Sequence, residues 1–172
     1  MSRAFVKEDD AGEPPIIPSR PALPPGASNY VTPNGLAQLR EELTALELQR
    51  AKAEASHDDE ANRTRQLTIL NAQLAALTQR ISSAKVIEPS AQPPDVVRFG
   101  ATVTLLTRTP GQASTERRFT IVGVDEASVA DGKVAFVAPI ARAVSGARVG
   151  QKVSLRMAGR EETLEVIAIA YT

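Results

Sequence analysis

Three consecutive carboxylates, Asp58, Asp59 and Glu60, lie between the cations Arg50 and Lys52 on one side and Arg63 and Arg65 on the other. Carboxylates in such a run suit the positive end of a helix dipole. Asp59 follows Ser56 at capping-box spacing, with Asp where Glu or Gln is usual. The four cations read first as an exposed helix face, and in a confined setting as contacts for phosphate or an acidic wall. His57, the only histidine, reads as a solvated turn residue. A second group pairs Asp125-Glu126, at a strand end, with Pro139-Ile140, which opens a short helix around an apolar side chain.

Composition removes several chemistries. There is no cysteine and one histidine, so thiolate and histidine-based zinc sites are excluded and no intrinsic metal site is expected. Twenty basic residues balance twenty acidic ones, and six aromatic residues without tryptophan argue against a base-stacking platform. No apolar run reaches the roughly 18 residues of a membrane span, and the start lacks a signal-peptide core. The expectation is a cytoplasmic protein with no membrane partner.

The elements that position the carboxylates follow from a mirror in the leucines. Leu36, Leu39, Leu43 and Leu46 are reflected by Leu77, Leu74, Leu70 and Leu67 about one midpoint, between Ser56 and His57. Both sets step 3, 4, 3, the seam of a helix packed on a helix, so the two form one antiparallel hairpin bent at that point. The seam fades towards the bend, where Ala53 would face Glu60 and Arg50 would face Arg63. Buried like charges are costly, so that part should be splayed or solvated. Thr32-Pro33 should open the first helix, running from about 33 to 55. Ser56 should cap the second, whose seam continues through Ile81 and Ala84 before Pro89 ends it. Arms of about 23–30 residues would span roughly 35–45 Å.

The organisation expected is α+β, with an N-terminal antiparallel coiled-coil hairpin and then a small β-rich domain. Residues 1–31, holding six of the twelve prolines, read as a disordered Pro-rich tail, with Phe5 and Val6 as an alternative docking segment. Residues 32–88 form the finger and 89–96 a linker. Residues 97–172 read as strands over 101–107, 118–124, 133–137, 152–156 and 162–169, with a helical stretch over 140–144.

Val97-Arg98-Phe99-Gly100-Ala101-Thr102-Val103-Thr104, Phe119-Thr120-Ile121-Val122-Gly123-Val124-Asp125-Glu126-Ala127, Pro139-Ile140-Ala141-Arg142-Ala143 and Leu164-Glu165-Val166-Ile167-Ala168-Ile169 occur in that order. Together with Leu39-Arg40-Glu41-Glu42-Leu43 and Ile81-Ser82-Ser83-Ala84-Lys85-Val86-Ile87 they resemble the Gre family of bacterial transcript cleavage factors, over roughly residues 31–171. The first seven residues resemble the leaders of GreB-like relatives. The resemblance implies a finger on an FKBP-like domain that docks on bacterial RNA polymerase at the rim of its secondary channel. Asp125, Glu126, Pro139 and Ile140 would form the docking surface. The finger would enter the channel, where Arg50, Lys52, Arg63 and Arg65 meet nascent RNA or the channel wall. Asp58, Asp59 and Glu60 would share the Mg²⁺ of the polymerase active site, and the factor itself would be no enzyme.

The sequence departs from the family pattern at the tip. The family's Asp and Glu stand three positions apart, whereas Ala61 follows Asp58 and Asn62 follows Asp59 at that spacing. Thr64 lies where an aromatic residue usually follows. The hairpin is shorter by roughly a dozen residues, which shortens its reach by about 9 Å, and Ala138 replaces the usual Ser before the proline. A non-cleaving regulator, like the regulators of nucleoside diphosphate kinase, is therefore an alternative, as is a coiled-coil scaffold without polymerase binding. Prolyl isomerase activity would need an aromatic-lined pocket, for which this domain offers Phe99, Phe119, Phe136 and Tyr171.

Overall fold

The computed structural model describes residues 14–57, 59–108 and 110–172. Helix α1 (Pro33–Glu54) begins where the Thr32 hydroxyl accepts the Gly35 N–H at 2.9 Å, with proline in the first turn. Helix α2 (Glu60–Ser82) returns antiparallel along it. Leu39, Leu70, Leu74 and Leu77 are buried between them and Leu36, Leu43, Leu46 and Leu67 are half-buried, so the mirrored seam is the contact surface.

The bend differs from its expected form. The N–H groups of Ala55 and Ser56 bond back to the carbonyls of Ala51 and Ala53, so Ser56 closes the first helix instead of capping the second. Asp59 takes the N-cap position of α2 without a side-chain capping bond, and its carbonyl accepts from the Arg63 N–H at 3.0 Å. The expected N-cap at Ser56 is displaced by three residues, because α2 begins at Glu60 and its N-cap is Asp59.

Two short strands join the base of the finger. Strand β1 (Asn29–Val31) pairs in parallel with β2 (Ala84–Val86), the whole hairpin serving as their crossover. The Asn29 amide donates to the Arg80 carbonyl at 2.8 Å and to the Ser83 hydroxyl at 3.2 Å, at the last turn of α2. This corrects two expectations: residues 29–31 belong to the fold and not to a tail, and 84–86 is strand and not helix. Three-residue strands carry no readable periodicity; their identity comes from the partner that α2 brings alongside. Phe5 and Val6, the alternative docking segment, lie outside the described residues.

The second half contains the five expected strands: β3 (Thr102–Arg108), β4 (Thr115–Val122), β5 (Lys133–Ala135), β6 (Lys152–Met157) and β7 (Arg160–Ala170). They lie in the order β5-β4-β3-β7-β6, antiparallel except for the parallel β4–β5 pair. Helix α3 (Pro139–Val144) supplies Ala141 and Val144 to a core with Val97, Val103, Leu105, Leu164 and Val166. Ala158 and Gly159, both with positive φ, make the tight turn between β6 and β7. The two halves touch closely at Gly123, where an added Cβ would stand 2.7 Å from the Tyr30 carbonyl oxygen.

Candidate functional site: a charged tip and an ionic joint

The tip presents charged side chains among the small or polar Ala55, Ala61 and Asn62. His57, Asp59 and Glu60 are exposed, Ala53 is buried beneath the bend, and Asp58 lies outside the described residues. Arg50 is exposed and turns to Glu54 on its own helix at 3.6 Å, so it does not confront Arg63 across the seam. Lys52 and Arg65 are exposed, while Arg63 is half-buried with its guanidinium 3.5 Å from the Ser56 carbonyl. Asp59 and Glu60 are adjacent oxygen donors of the kind a hard divalent cation takes.

At the other end of the finger, Asp125 and Glu126 follow β4 and point inwards. The Thr32 hydroxyl, while capping α1, donates to Glu126 Oε2 at 2.5 Å. The Asn34 amide and Lys133 Nζ each donate to Glu126 Oε1 at 3.1 Å. Glu126 is thus satisfied at 8 % exposure. An added Cβ on Gly35 would meet Glu126 Oε2 at 2.7 Å, so the glycine leaves room for the carboxylate in the first turn of α1.

Asp125 is held by two arginines. Arg20 donates to Asp125 Oδ1 from Nη2 at 2.9 Å and from Nε at 3.2 Å. Arg20 also makes a fork to Glu42 on α1, at 2.7 and 3.0 Å. The Glu42 hydrogen bond, aided by those to Asp125 and opposed by burial, raises the Arg20 pKa above its ordinary value. Arg80 of α2 brings Nη1 within 3.2 Å of Asp125 Oδ2, an ion pair whose angle makes no hydrogen bond. Its Nη2 donates to the Pro21 carbonyl at 2.6 Å.

The expected exposed corner of Pro139 and Ile140 beside two acidic residues is therefore not what the structure presents. Pro139 is exposed and Ile140 half-buried against the core, but both carboxylates are turned into the joint. The reason is local supply: Thr32, Asn34, Lys133, Arg20 and Arg80 all converge on the end of β4. Sequence reading missed Arg20, Glu42 and Arg80. One signal was available, since Arg20 is the only charged residue in positions 14–28.

Tyr30, Phe99 and Phe136 form a ring cluster with centroids 5.5 to 5.8 Å apart. They line a cavity of about 550 Å³ with Ile87, and Arg98 and Arg142 are also on its wall. Tyr30, from the finger base, was not anticipated. Phe119 instead lies in the core, and the Tyr171 hydroxyl donates to the Val96 carbonyl at 2.6 Å. No helix among the described residues is long and apolar enough to cross a membrane.

A two-helix finger pinned by charge to a sheet domain defines an α+β factor built to extend a polar tip. Residues 92–171 match the family model for the C-terminal part of transcription elongation factors GreA/GreB. Over 155 residues the chain is 33 % identical to the transcription elongation factor GreA of Acidiphilium cryptum, covering 82 % of this chain and 96 % of the relative. It is 31 % identical over 157 residues to GreB of Neisseria meningitidis serogroup B, covering 83 % and 94 %. The chain belongs to the GreA/GreB family of transcription elongation factors. Solved structures matched include Gfh1 of Thermus thermophilus, 21 % identical over 84 % of this chain and 99 % of that one, at a TM-score of 0.37. A GreA/GreB factor of Nitrosomonas europaea matches at 18 % identity, with the same coverage and a TM-score of 0.39. Likeness at that level carries no argument about how this chain is arranged.

Proposed function

We propose that this chain docks on bacterial RNA polymerase at the secondary channel, inserts the finger, and modulates elongation by occupying the channel. The observation that carries this reading is a hairpin with a dry base and an exposed end rich in charge. Its arms of 22 and 23 residues extend roughly 33–35 Å at 1.5 Å per residue. The exposed Arg50, Lys52 and Arg65 suit nascent RNA or an acidic wall beside that path.

Asp59 and Glu60, with Asp58 next to them in sequence, would offer oxygens to a polymerase-held Mg²⁺, which when bound supplies an activated water. Two features favour occupation over assisted cleavage. The carboxylates are contiguous where the family spaces them three apart, and the finger is about six residues shorter per arm. A carboxylate binds Mg²⁺ at about 2.1 Å, so side-chain rotation does not recover roughly 9 Å of reach.

Docking falls to Pro139 and Ile140, with Asp125 reaching a partner only if its present contacts open. Pro139→Ala should weaken polymerase binding about tenfold, or ~1.4 kcal/mol, without lowering the melting temperature. Titration of labelled protein against core polymerase measures this. Unchanged affinity would move docking away from α3.

A further inference from the structure

We propose that residues 14–28 form a strap that Arg20 locks over Asp125, and that Asp125 joins Pro139 and Ile140 in full-affinity polymerase docking only when this lock opens. The inference rests on the docking reading above and adds its regulation. The strap runs beside both arms of the finger: Ile17, Pro18 and Pro21 line one cleft with Glu42, Ala72 and Ala76. Lower down, Ala27 N–H bonds to the Pro24 carbonyl, and Lys85 Nζ donates to the Ser28 hydroxyl at 3.1 Å.

Charge holds the middle of the strap. Ile16 is 88 % exposed and Ile17 44 %, so neither anchors it, and the apolar contribution is limited to the half-buried Pro15 and Leu23 on either side of Arg20. Six prolines remove N–H groups from residues 14–25, and no regular secondary structure forms there. Its polar attachments among the described residues are the Arg20 guanidinium, on Glu42 and Asp125, and the Pro21 carbonyl, on Arg80. Arg20, Arg80 and Asp125 have side chains 18 %, 12 % and 8 % exposed, whereas Glu42 is 43 % exposed. One arm of the lock is therefore shielded and the other is open to salt and competing charge. A partner cation reaching Asp125 must replace Arg20, because the carboxylate has no exposed face to add it to. The proline-rich segment loses little conformational freedom when it recloses.

The chain has no cysteine, so spin labels on Ile16→Cys and Val129→Cys, both highly exposed positions, report the strap directly in the whole 172-residue chain. A narrow distance distribution is expected for the labelled chain, and a broad one after Arg20→Ala or on adding core polymerase. Arg20→Ala should also tighten polymerase binding about three- to tenfold, with Arg20→Lys in between. An unchanged distribution in Arg20→Ala overturns the lock. A closed strap in the polymerase-bound chain, or weaker binding by Arg20→Ala, overturns the requirement for opening. If neither chain binds polymerase while Arg20→Ala still frees the strap, the docking reading fails and the proposed requirement falls with it.

Discussion

Leu77→Ala is expected to destabilise the protein by about 3–4 kcal/mol, the cost of removing a large aliphatic group from a fully enclosed site. Leu77 is 0 % exposed and packs in one cluster with Leu39 of the facing arm and Val31 of β1. Its side chain thus joins three elements at the root of the finger. Two of these are a three-residue strand and a helix start, which have little freedom to collapse into a cavity. The loss corresponds to a fall of roughly 10 °C in melting temperature for a chain of this size. Urea unfolding followed by far-UV circular dichroism measures it; a change below about 1 kcal/mol would show that the seam is not the contact surface. Leu48→Ala, at an exposed position on α1, serves as the control and should cost under about 0.5 kcal/mol.

The second large effect belongs to Glu126. Glu126→Ala removes the acceptor of the Thr32 hydroxyl, the Asn34 amide and Lys133 Nζ together, and should cost about 2–3 kcal/mol. Lys133 is 28 % exposed and can turn to water, which keeps the figure below that of a fully buried pair. A double-mutant cycle identifies the mechanism. Gly35→Ala alone should destabilise, because the new Cβ meets Glu126 Oε2. In the Glu126→Ala background the same substitution should cost less, because only the Thr32 hydroxyl oxygen, 3.3 Å from the new Cβ, still crowds it. Calorimetry of the four proteins reads the difference. A Gly35→Ala effect independent of residue 126 would contradict the packing of the carboxylate into the first turn of α1.

The finger was legible because its signal is long-range and symmetric. Eight leucines with one midpoint specify a hairpin, its register and its bend without any knowledge of the rest of the chain. The five strands of the second half were legible from β-branched runs and from turns such as Asp131-Gly132. The joint was not. β1 and β2 are too short to show alternation, and their pairing exists only because α1 and α2 bring residues 29–31 and 84–86 together. Asp125 and Glu126 were noticed as a pair, but whether a carboxylate faces a partner or the interior depends on what approaches it in space. Arg20 comes from 105 residues away in sequence and Thr32 from 94. The capping expectation failed for a related reason: Ser56 fits the spacing, yet the second helix begins only at Glu60 with Asp59 as its N-cap. Sequence position selected the candidate charges, and tertiary geometry decided which face outwards.

The division of labour that emerges separates the two ends of the finger. At the root, buried leucines and two carboxylates fix where the finger leaves the sheet domain. At the tip, the adjacent Asp59 and Glu60 and the cations Arg50, Lys52 and Arg65 are left exposed. A rigid root gives a charged tip a defined reach, which the proposed insertion into a channel would require.

The most direct test of channel occupation without assisted cleavage adds the purified protein to backtracked RNA polymerase complexes and follows the length of the RNA. The account predicts no rapid shortening by this chain alone, and inhibition of the shortening produced by a cleavage-competent Gre factor. Rapid shortening that is lost on replacing Asp58, Asp59 and Glu60 by Ala would contradict it, and would show that the tip reaches the catalytic metal despite its length.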